Sequence, residues 1–531
     1  MIRSITVWPE WLQSLKPTSV PPFPLTRWPA RLGLAMLAWS LCAGPAWPQR
    51  NTLPSLGEGE GISLAAERKL GDRIIRELYR DPDYIEDAVL DDYVQKLWAP
   101  LVDAAAARGE LSPELRERFA WRILLGRDRS VNAFALPGGY LGVHLGLIAV
   151  VTSRDELASV LAHELSHVTQ RHIARSMEAQ GRMTPWVIGS LILGALAASK
   201  SPQATQALVV GGQAAAIQNQ LSYSREMERE ADRIGFGVLS EAGYDPRGFV
   251  AMFGKLQQAA GLNDSGAYPY LRSHPLTTER IADMHSRLPL GAVISSVQQD
   301  MEQAMVSARA RVLSQSQVDN LRAWTQLPVS LPAQATPAQK AGSLYAATLA
   351  HQLLREPERA RQQWQALQTV TANHMAAARL TRLLGAELQA AAGQYAQVVQ
   401  GTQPSLMVAQ WPRPELVTVA QALAHLPQHP AVASAMQQLR LQVQNTPHDA
   451  QVWNLLGTLL AGQGQKLASL RAEGEAQLVR MDLQGALDRF RAAQDVARAS
   501  QLKPGDHIEA SIVDTRVREI QEQLREMQKE R

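Results

Sequence analysis

The chain has 531 residues, of which 46% are hydrophobic, 19% charged and only 5% aromatic, with a formal net charge of +3. This is the balance of a globular protein, and the length predicts two to four domains rather than one core. The small net charge gives no footing to a nucleic-acid partner or to strong attraction to anionic lipid, and the single cysteine, Cys42, rules out a disulfide framework.

At the amino terminus Arg27 and Arg31 precede the apolar run Leu32 to Leu41, which is followed by the small residues Ala43-Gly44-Pro45-Ala46. The run is too short to span a bilayer, so it predicts a secretory signal peptide over 1–46, cut after Ala46, with a flexible linker over 47–60. Leu41 stands where a lipid-anchoring motif needs a small residue ahead of Cys42, so no lipid anchor is expected. Cleavage would leave a nearly neutral chain without cysteine, suited to an oxidising periplasm.

A further folded domain is expected over 61–290. Its first patterned segment is Asn132 to Ile148, where alternation after Gly139 predicts a half-buried edge strand; Gly139, Tyr140 and Leu141 would pair with an extended substrate, and His144 would face solvent. Next comes Asp155 to Arg175, apolar on one side and free of Pro and Gly, which reads as a helix. It carries His163-Glu164-Leu165-Ser166-His167. Histidines at i and i+4 share a helix face and can reach one Zn²⁺, while Glu164, one residue round, can act on a water as general base. A closed thiolate site is excluded by the cysteine count, which leaves a catalytic site with three protein ligands and an open position. Ile173 occupies the position where a metzincin has its third His. His172 falls five residues past His167, about 140° away on a helix, and reads as a boundary histidine.

Two apolar stretches, Trp186 to Ala198 and Ala204 to Ile217, follow; each is short of the ~20 residues a membrane span requires, so membrane contact is at most peripheral. The run Ser224 to Gly235 then reads as a helix with Glu228 and Asp232 as i,i+4 partners. One carboxylate can bind zinc while the other accepts a hydrogen bond from a ligand histidine.

Together these motifs carry a resemblance. HELSH, followed by Ser-Arg-x-x-Glu-x-x-Ala-Asp over 224–232, resembles the zinc peptidases of the family that includes HtpX and the CAAX prenyl protease, and the segment 132–148 looks like that family's strand ahead of the zinc helix. The resemblance implies Glu228 as third zinc ligand beside His163 and His167, one Zn²⁺ per chain, Asp232 as the ligand-orienting acid, and Glu226 and Glu230 on the surface. Ser273-His274-Pro275-Leu276 with Arg280 resembles the family's His-Pro loop, which implies active-site roles for His274 and Arg280. His274 would cap the metal and hold the enzyme latent, or steady the tetrahedral intermediate.

A connecting helix and linker are expected over 291–340, with the three prolines of Leu327 to Lys340 marking a bent connection. From 341 to 531 the pattern is helical and repetitive. Leu344 to Leu354, a break at Glu356-Pro357, then Ala360, Trp364 and Leu367 read as a helix pair. Trp453, Leu456, Gly457 and Leu460 match the first helix of a tetratricopeptide-like (TPR-like) unit, with Gly474, Ala486, Phe490 and Ala493 at another unit's small and aromatic positions, whereas Gln403 to Pro430 fits poorly. The fold class is therefore mainly α: an α+β, gluzincin-like HExxH domain with a small sheet, then helical repeats with a concave binding face. An exported zinc peptidase joined to such repeats resembles members of that family acting in outer-membrane protein assembly. The implied partners are unfolded or stalled protein substrates, with the assembly machinery on the repeats. The readings open at this point are a periplasmic zinc endopeptidase, a chaperone or scaffold with a latent peptidase, and a metal-binding module without hydrolysis.

Overall fold

The computed structural model describes residues 62–179, 224–261, 267–289, 300–404, 409–499 and 505–529. The signal peptide and linker expected over 1–60, and the apolar stretches within 186–217, lie outside the described residues. The described residues are mainly helical, with one mixed four-stranded sheet near the amino-terminal end, the class that the pattern predicts.

In chain order the first elements are α1 (Leu64–Tyr79), β1 (Tyr84–Ile85), α2 (Ala88–Ala107), α3 (Pro113–Arg118), β2 (Arg122–Gly126), β3 (Ala133–Leu136), β4 (Tyr140–His144), α4 (Leu145–Val150), α5 (Arg154–Thr169) and α6 (His172–Ala179). After them come α7 (Arg225–Glu241), α8 (Arg247–Gly261), the single turn α9 (Tyr270–Ser273) and α10 (Thr278–Ser286). The helices that carry the site start on hydroxyl caps: Ser153 Oγ accepts from Glu156 N, Ser224 Oγ from Met227 N and Thr277 Oγ1 from Arg280 N.

The sheet order is β1-β2-β4-β3, with β2 and β4 parallel and the outer pairs antiparallel. β3 and β4 form a hairpin through Pro137-Gly138-Gly139, where both glycines have positive φ, 76° and 84°. This corrects the edge-strand expectation for Gly139, Tyr140 and Leu141. β4 is flanked on both sides and all five of its residues are buried, so the backbone there is already paired and a substrate cannot add to it. Among the described residues the outer strands are β1 and β3. Side chains alternate between the two faces of the sheet, and both faces are covered. Leu124, Leu136 and Tyr140 pack on Leu70, Ile74 and Ile75 of α1, while Leu125, Ala133, Ala135, Leu141 and Val143 join the main core with α5. His144, expected in solvent, is buried against Phe134, with Nδ1 2.9 Å from Ser130 Oγ.

The helix expected over 155–175 is two helices. α5 ends at Thr169, Arg171 adopts φ 52°, and α6 starts at His172.

Beyond the catalytic region lie α11 (Met301–Ser314), α12 (Val318–Thr325), α13 (Leu327–Ser330), α14 (Pro337–Leu353), α15 (Pro357–Thr371), α16 (Met375–Ala391), α17 (Tyr395–Thr402), α18 (Arg413–Ala424), α19 (Ala431–Asn445), α20 (Ala450–Gly462), α21 (Lys466–Val479), α22 (Leu483–Ala499) and α23 (Asp506–Lys529). Left-handed residues make the tight turns between neighbouring helices: Arg355 before α15, Gly393 before α17, Gly464 before α21 and Met481 before α22. Gly385 faces the Trp364 indole and Gly474 the Phe490 ring, where any Cβ would overlap the aromatic. The segment read as a connection is not a loose tether. Met305, Val306, Ala308, Ala310 and Val312 of α11 are buried in the same core that holds α5, and that core continues to Leu384 of α16.

Candidate metal centre

α5 is buried on all sides from Asp155 to Thr169, so its polar residues must find partners within the protein. His163, Glu164 and His167 do so toward α7 and α9. Four side chains, from His163, His167, Glu228 and His274, each bring one donor atom within 4.8 Å of the others, and all four are buried. His163 Nε2 lies 3.0 Å from His167 Nε2, 3.5 Å from Glu228 Oε2 and 3.3 Å from His274 Nδ1. Glu228 Oε1 is 3.5 Å from His167 Nε2 and 3.0 Å from His274 Nδ1.

These separations suit a cation. Ligands about 2.0–2.1 Å from a tetrahedral centre sit about 3.3 Å from one another. Three imidazoles and one carboxylate form a borderline-soft donor set of the kind zinc takes. The charges agree. Burial pushes His163 down, but Asp232 and Glu228 outweigh it and hold its imidazole up at about 9. Burial, with the neighbouring His163 charge, drives His167 well below the usual histidine range. Burial would raise the Glu228 carboxyl, yet His274 and His163 hold it well below the ordinary range. Glu228 and Asp232 thus favour positive charge at His163.

The surrounding groups fix the ligands. Asp232 Oδ1 lies 3.0 Å from His163 Nδ1, and Arg280 grips Asp232 through Nε at 2.6 Å and Nη2 at 2.8 Å. Arg280 Nη1 also lies 2.7 Å from Glu228 Oε2 and donates to the Pro275 carbonyl at 2.8 Å, which ties the His-Pro loop to both acids. Burial opposes the Asp232 charge, but the Arg280 hydrogen bonds hold its pKa below the ordinary value. Glu164 accepts from the Ala135 backbone N–H on β3 at 2.9 Å through Oε2; Oε1 is buried, accepts no hydrogen bond among the described residues and lies 3.4 Å from His274 Nε2. Burial raises the Glu164 carboxyl, partly offset by the nearby His274 and His163.

The structure therefore brings together His163, Glu164, His167, Glu228, Asp232, His274 and Arg280, and leaves Tyr140 and Leu141 in the sheet. Glu226 is exposed, whereas Glu230 is only half-exposed and is engaged by His172 and Arg175. One site residue, Tyr270, went unread, and another, His172, was read only as a boundary histidine. Tyr270 stacks on His274 with centroids 4.5 Å apart, and His172 lies against His167. Neither stands in a pattern that a single sequence exposes.

HExxH on one helix, an acid from a second and an outer acid one turn further on define a metallopeptidase centre. Residues 95–288 match the model of peptidase family M48, and the matched segment contains the whole His/Glu cluster. It is 36% identical over 243 residues to the beta-barrel assembly-enhancing protease of Escherichia coli (strain K12), covering 45% of this chain and 47% of that protein. The enzyme of the same name from Yersinia pestis is 37% identical over 248 residues, 45% of this chain and 48% of that one. The mitochondrial metalloendopeptidase OMA1 of Arabidopsis thaliana is 34% identical over 198 residues, 37% and 36% of the two chains. The chain spans about half the length of the assembly-enhancing proteases it matches. Among the described residues no helix is long and apolar enough to cross a membrane.

Proposed function

We propose that this protein is an exported, periplasmic zinc endopeptidase that hydrolyses peptide bonds of misassembled outer-membrane proteins, with TPR-like repeats recruiting the substrate or the assembly machinery. The reading is carried by the buried donor set of His163, His167 and Glu228 with Glu164 Oε1 beside it, unengaged by any hydrogen bond among the described residues. Its substrate class rests on the relatives' names and on the export signal expected over 1–46. Zinc, which His163, His167 and Glu228 would hold, would supply Lewis acidity to acidify a water and polarise a carbonyl.

The chain's own groups do the rest. Glu164, held by Ala135 N–H on one oxygen, presents the other to take the proton of the attacking water and return it to the leaving amine. Asp232 and Arg280 keep His163 and Glu228 in place. His274, with Nδ1 3.0 Å from Glu228 and Tyr270 stacked on its ring, would offer a fourth donor to the metal and so cap the site at rest.

This cap favours one second reading, a chaperone or scaffold for outer-membrane protein assembly whose peptidase is normally latent. Purified wild type, Glu164→Gln and His274→Ala, compared on an unfolded barrel protein, separate the two. Glu164→Gln should keep its metal and lose cleavage by about 10²-fold or more, while His274→Ala should cut faster than wild type. Cleavage by Glu164→Gln at the normal rate would remove the base assignment. Full cellular rescue by that variant would favour the scaffold.

A further inference from the structure

His172 contributes no donor to the cluster, yet it is fully buried and both of its ring nitrogens are engaged. Nδ1 lies 2.8 Å from His167 Nδ1, and Nε2 lies 3.1 Å from Glu230 Oε2, which also accepts from Arg175 Nη1 at 2.8 Å. Two ring nitrogens this close share one proton, so one donates and the other is bare. His167 turns Nε2 toward His163 and Glu228, so as a ligand it carries its proton on Nδ1. His172 Nδ1 must then be the acceptor, and a neutral His172 carries its own proton on Nε2, facing the Glu230 carboxylate. One proton arrangement satisfies both the His167–His172 and the His172–Glu230 contacts.

We propose that His172 is a positioning residue for His167: the chain Arg175–Glu230–His172 fixes the ring orientation and tautomer in which His167 Nε2 is bare. The inference rests on the metal reading above. His163 is backed in the same way by Asp232 and Arg280, so each ligand histidine has an acid and an arginine behind it, with His172 interposed in one case.

A second observation supports the placement. His172 reaches His167 only because α5 stops and Arg171 turns through φ 52°, a left-handed conformation that is strained outside glycine and persists where the surroundings over-determine it. Those surroundings are specific. Arg171 Nε donates to the buried Glu67 at 2.8 Å and Nη2 to the Ile62 carbonyl at 2.6 Å, which pins the turn to the start of α1.

The test is zinc affinity of the full chain by chelator competition for wild type, His172→Phe, His172→Asn and Glu230→Gln, with a thermal melt of each zinc-free protein. His172→Phe, which removes the acceptor, should bind zinc about 10–100-fold more weakly. His172→Asn keeps an acceptor near the Nδ1 position and should recover most of that loss, and Glu230→Gln should show a smaller one. Histidine-selective ¹⁵N NMR of the zinc-loaded wild type should find His167 protonated on Nδ1 and His172 on Nε2. A His172→Phe protein that melts like wild type and binds zinc equally well overturns the proposal, as does a proton on His172 Nδ1. If His172→Phe does not fold, wild-type affinity in both His172→Asn and Glu230→Gln overturns it. Wild type that takes up no zinc fails the metal reading and this one together, whereas zinc in wild type with unchanged variants fails this one alone.

Discussion

At the scale of single residues the site is a set of buried charges that exist only because each has a partner. Asp232 links His163 to Arg280 with both oxygens used. Asp232→Asn keeps the shape and removes the charge, and its amide can face His163 with N–H groups, which favours the wrong tautomer of the ligand. Zinc affinity should fall about 10–100-fold, read by chelator competition, and wild-type affinity in the variant would mean that Asp232 does not orient His163. Which of these roles a sequence can reveal depends on spacing. His163 and His167, and Glu228 and Asp232, stand four apart on helices, so each pair announces a shared face. His274 has no such spacing and was legible only through the resemblance of its loop. His172 was misread because the arithmetic of a continuous helix fails when Arg171 leaves the helical region, and nothing in Gln170-Arg171-His172 signals that turn.

At the scale of elements, the site depends on how closely α7 approaches α5. Gly235 sits at that contact, where a Cβ would lie 3.1 Å from the Ala162 carbonyl oxygen and 3.2 Å from His163 Cα. A larger side chain there forces the helix bearing Glu228 away from the helix bearing His163. Gly235→Val should destabilise the fold by about 1–3 kcal/mol, by overpacking, and weaken metal binding, measured by urea unfolding and chelator competition. Unchanged metal affinity would show that the two helices can separate without opening the donor set. The sheet shows where element-level reading stops. Alternation in Tyr140 to His144 is real, but it cannot tell a half-buried edge from a strand between two partners. That depends on β2 pairing in parallel and on α1 covering the far face, both set by segments earlier in the chain. The helix pair around Glu356-Pro357, by contrast, was legible because Pro sits at the first position of α15 and marks its own boundary.

At the scale of the whole molecule, the row of acids that opens α2 meets the carboxy-terminal helices. Glu86 pairs with Arg480, Asp87 with Arg309, Asp91 with Arg413 and Asp92 with Arg379, at 2.7, 2.7, 3.5 and 2.9 Å. No local pattern predicts such pairs, because the partners stand hundreds of residues apart. Arg309 is the most buried of the four arginines; it also reaches Glu387 at 2.9 Å and the Tyr345 hydroxyl at 3.1 Å, while Asp87 caps α2 by accepting from Leu90 N. Removing one partner of a buried pair leaves an uncompensated charge, so Arg309→Met should cost about 3–5 kcal/mol by denaturant unfolding at neutral pH. The sign of the pH dependence follows from Glu387. Burial already raises its carboxyl and Arg309 holds it down, so without Arg309 the folded state binds a proton more tightly than the unfolded state does. The added stability is present at low pH and is lost as pH rises through the raised folded value, so the deficit of Arg309→Met should shrink on acidification from pH 7.5 to 5.5. Combining it with Asp87→Asn, which retains the cap, and Glu387→Gln should restore much of the loss. A deficit equal at both pH values and untouched by the triple variant would mean that Arg309 acts by packing alone.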